Sequence, residues 1–324
     1  MTEPTRWAFP QALQPTSEHV GFDLKSALDA VVALRAEVPD DAFTASILGV
    51  ERLGNGVVIR DDGLVLTIGY LITEATSVWL TANDGSVVEG YPLAYDFASG
   101  FGLVQPLGHP RWPVLPRGSA ATVATDDEVF VLGHGGRSHA VKATVFARRE
   151  FAGYWEYLLD EALFTTPPHP EWSGAALVDD GGRLVGVGSL LLQEKVGDDT
   201  VDGNMFVPID LLEPILDDLL RTGRPARPPR PWLGMYTADV QGRLLVNGLA
   251  SGGPAERSGV HAGDLVVAVA GDRVASLPDF LRRVWRLGPA GTVVPLTLAR
   301  NGAPMQVQVH SADRDDFLRK PSLQ

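Results

Sequence analysis

The chain has 324 residues, 45% hydrophobic and 21% charged, enough to bury about two domain cores at roughly 150 residues each. Its net charge of −13 argues against a binder that tracks nucleic-acid phosphates and against an anionic membrane surface, since both need a basic face. With no cysteine, disulfides and thiolate chemistry are excluded.

The start, MTEPTRWAFPQALQPTSEHVGFDLK, shows no basic stretch leading into an apolar run. No window of about 18 apolar residues occurs anywhere. A cytoplasmic location is expected, or a periplasmic one if a signal has been removed. Residues 1–43 read as an N-terminal extension. Within it, FDLKSALDAVVALRAE (22–37) places Leu24, Leu28, Val31, Val32 and Leu34 near helical intervals and predicts a short amphipathic helix. Pro39-Asp40-Asp41 ends it.

From 44 to 223 the pattern is short apolar runs broken by Gly, Asp and Pro, as in LGNGVVIRDDGLVLTIGYLI and ALVDDGGRLVGVGSLLL. Such spacing predicts an all-β barrel or sandwich. ANDGS and VDDGGR are read as hairpin turns in which glycine accepts positive φ. DLLEPILDDLLRTG predicts a helix with Asp210 as N-cap and Gly223 as stop. The proline-rich run over 224–230 is read as a stiff linker. A smaller unit, 231–312, has strands around RLLVNGLA, DLVVAVAGDRV and TVVPLTLARNGAPMQVQV. It also has a helix in which Leu277, Phe280, Leu281, Val284 and Leu287 recur on one face. The remainder, 313–324, is read as a charged, loose tail.

In order, the segments LGNGVVIRDDGLVLT, AYDFASGFGLVQP, EVFVLGHGG, SGAALVDDGGRLVGVGS, FVPIDLLEPILDDLL, PWLGM and SGGPAERSGVHAGDLVVAVAGDRV resemble the HtrA family over about 44–310. The resemblance implies a mainly β fold: a chymotrypsin-like double β-barrel followed by a PDZ domain, a β-sandwich with helices. It implies Ser173 as the nucleophile position, followed by Gly174. The family's histidine, three residues after the Thr of VLT, falls on Tyr70. Its aspartate, just before an apolar strand, falls on Gly100. The glycine two before the serine, whose N–H helps bind an oxyanion, falls on Glu171, and the Gly-Pro after the Ser-Gly pair is Ala175-Ala176.

These departures bear on chemistry. A serine hydroxyl needs an adjacent base, and in the triad that base is an imidazole oriented by a carboxylate. A phenol titrates near pH 10 and stays protonated at neutral pH. Gly100 supplies no carboxylate, and Glu171 would place negative charge where an oxyanion forms. His169, His134 and Asp96 are the remaining candidates for a rescuing base or acid, and each is more simply a loop or turn residue. Ser173 and Tyr70 have plainer readings too, as a small residue in a tight turn and a packed barrel-rim aromatic.

The PDZ resemblance implies peptide binding by strand addition, with a C-terminal carboxylate held by backbone N–H groups of Trp232-Leu233-Gly234-Met235. Phe280, Leu281 and Val284 would wall the side-chain pocket, or serve only as core. Arg282, Arg283 and Arg286 form a basic helix face. No metal and no cofactor are expected. Three readings stay open: an inactive HtrA-like serine protease homologue that scaffolds a protein or peptide partner, an active endopeptidase using Ser173 with a non-standard base, and a structural subunit of an assembly in which helix 22–37 makes the oligomer contact.

Overall fold

The computed structural model describes residues 7–196 and 199–320. It divides into two compact units. The first takes the chain up to Arg149, Glu161–Pro225 and the segment from Arg319; the second takes Glu150–Asp160 and Ala226–Leu318.

The first unit contains two closed antiparallel barrels. Barrel one is built from β1 (Val31–Glu37), β2 (Glu51–Val58), β3 (Val65–Ile68), β4 (Ser77–Thr81), β5 (Val87–Tyr95) and β6 (Phe101–Pro106), in the order β1-β2-β3-β6-β5-β4. Barrel two is built from β7 (Glu128–Leu132), β8 (Ala140–Gly153), β9 (Tyr157–Thr166), β10 (Ala176–Val178), β11 (Leu184–Val196) and β12 (Asp199–Pro208), in the order β10-β11-β12-β9-β8-β7. The core of barrel two gathers Val129, Val131, Val141, Leu163, Leu177 and Phe206. Each such fully buried side chain contributes roughly 1.5–3 kcal/mol relative to exposure.

The expected helix over 22–37 is only half present. α1 spans Leu24–Asp29, capped by Asp23, whose carboxylate accepts the Ser26 N–H at 3.0 Å. Val31–Glu37 is instead the strand β1, paired with both β2 and β4. The β-branched pair Val31-Val32 and the later alternation of burial fit a strand, and barrel closure outweighs the approximate helical spacing. Barrel one thus begins before residue 44. Leu24, Ala27 and Leu28 are buried within the chain, so the apolar face proposed as an oligomer contact is already covered.

α2 (Ala45–Leu48) follows β1, and α3 (Glu213–Thr222) leaves barrel two, ending at Gly223 in the left-handed conformation with φ 75°. Asp210 does not cap α3. Its carboxylate accepts the Ala120 N–H at 2.6 Å and the Ser119 hydroxyl, closing a different turn. The tail is not loose where it is described: the Arg319 N–H donates to Glu74 at 3.0 Å, and the Phe317 ring packs on Trp232 at 4.8 Å. Residues 321–324 lie outside the described residues.

The second unit is a sheet of β13 (Met235–Val240), β14 (Arg243–Leu249), β15 (Leu265–Val269), β17 (Val293–Arg300) and β18 (Ala303–His310), with β16 (Asp272–Arg273) beside β15. It carries α4 (Pro254–Arg257) and α5 (Leu277–Arg286). Ser276 caps α5 by accepting the Asp279 N–H at 3.3 Å. The chain around Glu156 joins this unit as a hairpin tip, and Leu158 is part of the unit's apolar core.

Candidate functional site

Ser173 and the residue at the expected base position come from different barrels. β3 ends at Ile68, and a single 3-10 turn, Gly69–Leu71, carries Tyr70. Ser173 lies in the turn before β10. Gly174 next to it has φ 74°, and a Cβ there would fall 1.9 Å from the Asn55 carbonyl oxygen, so only glycine lets this turn approach β2.

The Tyr70 hydroxyl lies 2.7 Å from Ser173 Oγ and 2.9 Å from the Ser189 carbonyl oxygen. A phenol has one proton, and a carbonyl can only accept. Tyr70 therefore donates to Ser189 and accepts from the Ser173 hydroxyl. Burial pushes the Tyr70 phenol up to about 12, with hydrogen bonds from Ser173 and Trp172 opposing it. At pH 7 only about one such phenol in 10^5 is ionised. A neutral phenol oxygen is too weak a base to take a serine proton in a transition state.

Gly100 sits before β6 with φ 84°, accepts the Gly69 N–H at 2.7 Å and donates its own N–H to the Asp96 carbonyl. It braces the Tyr70 turn and brings no charge. Asp96 is buried, and its carboxylate accepts the Ser99 N–H at 2.9 Å, which makes it the organiser of the β5–β6 bend.

The Glu171 N–H, at the expected oxyanion-binding position, donates to His169 Nδ1 at 3.1 Å. The Glu171 carboxylate accepts the Trp7 indole N–H at 2.8 Å and stands 3.8 Å from His139 Nδ1. His169 is fully buried. It accepts at Nδ1 and donates from Nε2 to the His139 carbonyl at 2.9 Å. Both ring nitrogens are thus committed to structure. Burial holds the imidazole below its ordinary value and so neutral, with the His139 carbonyl and Glu171 opposing that shift. His134 lines the same cavity as Ser173, of about 470 Å³, together with Leu53, Asn55, Glu171 and Trp172. Its Nε2 has no hydrogen-bond partner, and burial lowers its basicity.

Sequence reasoning missed Asn55. It is 2% exposed. Its backbone N–H donates to the Ser173 carbonyl at 2.7 Å, its amide donates to the Glu171 carbonyl at 2.8 Å, and its side-chain oxygen accepts the His134 N–H at 2.8 Å. The available signal was the glycine on each side of it in LGNG: a Cβ on Gly54 would lie 2.7 Å from the Ser173 carbonyl oxygen.

In the second unit, Gly234 has φ 71° between Leu233 and Met235. The Leu233 N–H donates to the Glu156 carboxylate at 3.0 Å and the Met235 N–H at 2.9 Å. Trp232 instead pairs its backbone with Ala312. Phe280, Leu281 and Val284 are at most 1% exposed and belong to the same core as Leu158, Leu233 and Met235. Arg282 pairs with Glu150 and Asp160, and Arg283 with Asp279 and Asp272, so these two do not form a free basic face. Among the described residues, no group of three or more His, Asp or Glu side chains is arranged to hold a metal, and no helix is long and apolar enough to cross a membrane.

Residues 54–187 match the trypsin-like peptidase domain family and residues 231–310 the PDZ domain family. The chain is 25% identical over 280 residues to the serine endoprotease DegS of Salmonella typhimurium, covering 81% of this chain and 77% of the relative. It is 24% identical over 318 residues to the periplasmic pH-dependent serine endoprotease DegQ of Escherichia coli, covering 88% and 68%. Among solved structures it resembles a serine endoprotease from Yersinia pestis (TM-score 0.51, 22% identity, 91% of this chain and 99% of that one). It also resembles the HtrA-type protease AlgW with a decapeptide (TM-score 0.54, 17% identity, 93% and 100%). In the order of its two matched domains and in its paired barrels the chain is similar to HtrA-type proteases, with a trypsin-like peptidase domain followed by a PDZ domain.

Proposed function

We propose that this chain is a catalytically inactive HtrA-like protein that works by binding a peptide or protein partner through its PDZ domain. The observation that carries the reading is the Tyr70 hydroxyl at 2.7 Å from Ser173 Oγ. The position that would hold a base holds a group that accepts the serine's proton only as a hydrogen bond. The commitment of the Glu171 N–H to His169 supports it, because the oxyanion site lacks one of its two usual donors. Peptide binding is supported by the PDZ match and by the peptide present in the AlgW structure. A fluorophosphonate probe with a casein assay tests the reading. We expect neither labelling nor turnover; labelling that disappears in Ser173→Ala would sink it.

A second reading has one observation in its favour. The same Ser173–Tyr70 contact would serve a nucleophile if Tyr70 were a phenolate. Endopeptidase activity of that kind would rise steeply toward alkaline pH and vanish in Tyr70→Phe.

A further inference from the structure

The peptide groove of the second unit already contains part of the chain. In strand-addition recognition, a ligand's terminal carboxylate is held by backbone N–H groups, its last side chain enters an apolar pocket, and its backbone pairs with the neighbouring strand. The hairpin tip Glu150–Asp160 supplies all three. The Glu156 carboxylate accepts the Leu233 and Met235 N–H groups at 3.0 and 2.9 Å. Leu158 is 7% exposed and lies in the core that includes Phe280, Leu281 and Val284. The Tyr154 carbonyl accepts the Thr237 N–H at 3.0 Å, one backbone hydrogen bond from β13 of the kind a paired ligand strand would make.

We infer that the hairpin tip is a resident ligand of the PDZ groove, with Glu156 standing in for a C-terminal carboxylate, and that a peptide ending in a free carboxylate after an apolar residue must displace it to bind.

Glu156 is held in the left-handed region, φ 62°, a conformation that is strained for a non-glycine residue. A turn that only closed β8 onto β9 would be better served by glycine or asparagine here. The hairpin base is anchored to α5 by Arg282, which pairs with Glu150 and with Asp160 at 2.6 Å. Burial raises the Glu156 carboxyl to about 7, against the pull of the Leu233 and Met235 N–H groups and the Arg314 charge. A peptide α-carboxyl ordinarily titrates near 3.5 and is fully ionised at pH 7. Protonation near neutral pH weakens the hold of the resident carboxyl on the two N–H donors.

The inference rests on the peptide-binding reading, and one experiment separates the two. Fluorescein-labelled decapeptides ending in Leu, Val or Phe, as free acids and as C-terminal amides, are titrated into the full chain, Glu156→Ala and Glu156→Gln. Each variant is first checked for an intact melting transition. We expect free-acid peptides to bind Glu156→Ala at least about tenfold more tightly than the wild type, Glu156→Gln to fall between them, and the amides to gain little. Equal free-acid affinity for all three proteins would overturn the hairpin as resident ligand while leaving peptide binding in place. No binding by any of them would overturn the peptide-binding reading. Hydrogen exchange without peptide gives an independent readout: the Leu233 and Met235 amides should exchange at least tenfold faster in Glu156→Ala, and unchanged protection would also overturn the inference.

Discussion

If the Ser173 hydroxyl is held by Tyr70 rather than poised for attack, the two side chains should be energetically coupled. Tyr70→Phe removes the 2.7 Å bond to Ser173 and the 2.9 Å bond to the Ser189 carbonyl. At about 1 kcal/mol net per neutral hydrogen bond, it should destabilise the first unit by about 2 kcal/mol. Ser173→Ala removes only the shared bond and leaves Tyr70 its Ser189 partner, so about 1 kcal/mol is lost. The double variant should lose about 2 kcal/mol, because the shared bond is counted once, giving a coupling of about 1 kcal/mol. Urea denaturation read by hydrogen exchange on β3 and β10 scores this unit apart from the PDZ unit. Additive losses, with coupling under about 0.3 kcal/mol, would show that Tyr70 does not hold the serine and would remove the main support for an inactive site.

Replacing Tyr70 and Gly100 with the expected triad residues (Tyr70→His with Gly100→Asp) should not restore casein hydrolysis, since the Glu171 N–H still donates to His169 and residue 100 must keep φ 84°. Turnover above the same protein carrying Ser173→Ala would refute this. Any wild-type hydrolysis should climb about tenfold per pH unit between pH 7 and 10, because the Tyr70 phenol is pushed up to about 12; a plateau near pH 7 would point to an imidazole base. Peptide affinity for the wild type should increase from pH 5 to pH 8, and affinity for Glu156→Ala should stay flat. Glu156 titrates at about 7 in the groove, against an ordinary 4.5 when expelled into water, so expulsion releases a proton across that interval and gains from rising pH. Arg314 and Tyr236 interact with that carboxyl, and Arg and Tyr side chains do not ordinarily titrate between those limits. Arg300→Met should cost the second unit about 3 kcal/mol at pH 7, because it strands Asp264, 1% exposed and paired at 2.7 Å. Arg300 holds the Asp264 carboxyl below its ordinary 3.8. That stability is present above the unfolded value and is lost as pH falls through the folded one, so the difference between the two proteins should shrink steadily as denaturation is repeated at pH values falling below 3.8.

The fold was readable because its signals are local. Glycine turns between short apolar runs mark the barrels, and a proline run lies where the two units divide. β1 was misread because Leu28, Val31, Val32 and Leu34 satisfy two periodicities at once, and only pairing with β2 and β4 decides between them. The substitutions at 70, 100 and 171 could be read once the segments were aligned with the family pattern. Their consequences could not. That Asn55 ties Ser173, Glu171 and the His134 loop together follows from contacts between residues 79 to 118 positions apart, and the His169 ring that receives the Glu171 N–H two positions away is itself fixed by the His139 carbonyl 30 positions away. Glu156 carried no signal either. Its meaning depends on a loop 77 residues later.

Ser173 and the PDZ loop share one physical feature, and they differ in how easily it is undone. A site that acts on a ligand must keep polar groups available to it, although each unsatisfied buried group costs about 1–3 kcal/mol. Here those groups are satisfied from within: Ser173 by Tyr70, the Glu171 N–H by His169, and the Leu233 and Met235 N–H groups by Glu156. Opening the first set means moving a turn between two barrel strands together with a fully buried histidine, against packed cores on both sides. Opening the second means withdrawing one hairpin tip whose carboxyl binds a proton near neutral pH. The barrel site is therefore the locked one and the PDZ groove the exchangeable one, so ligand-dependent behaviour should appear first as competition with Glu156 and not as recovery of hydrolysis at Ser173.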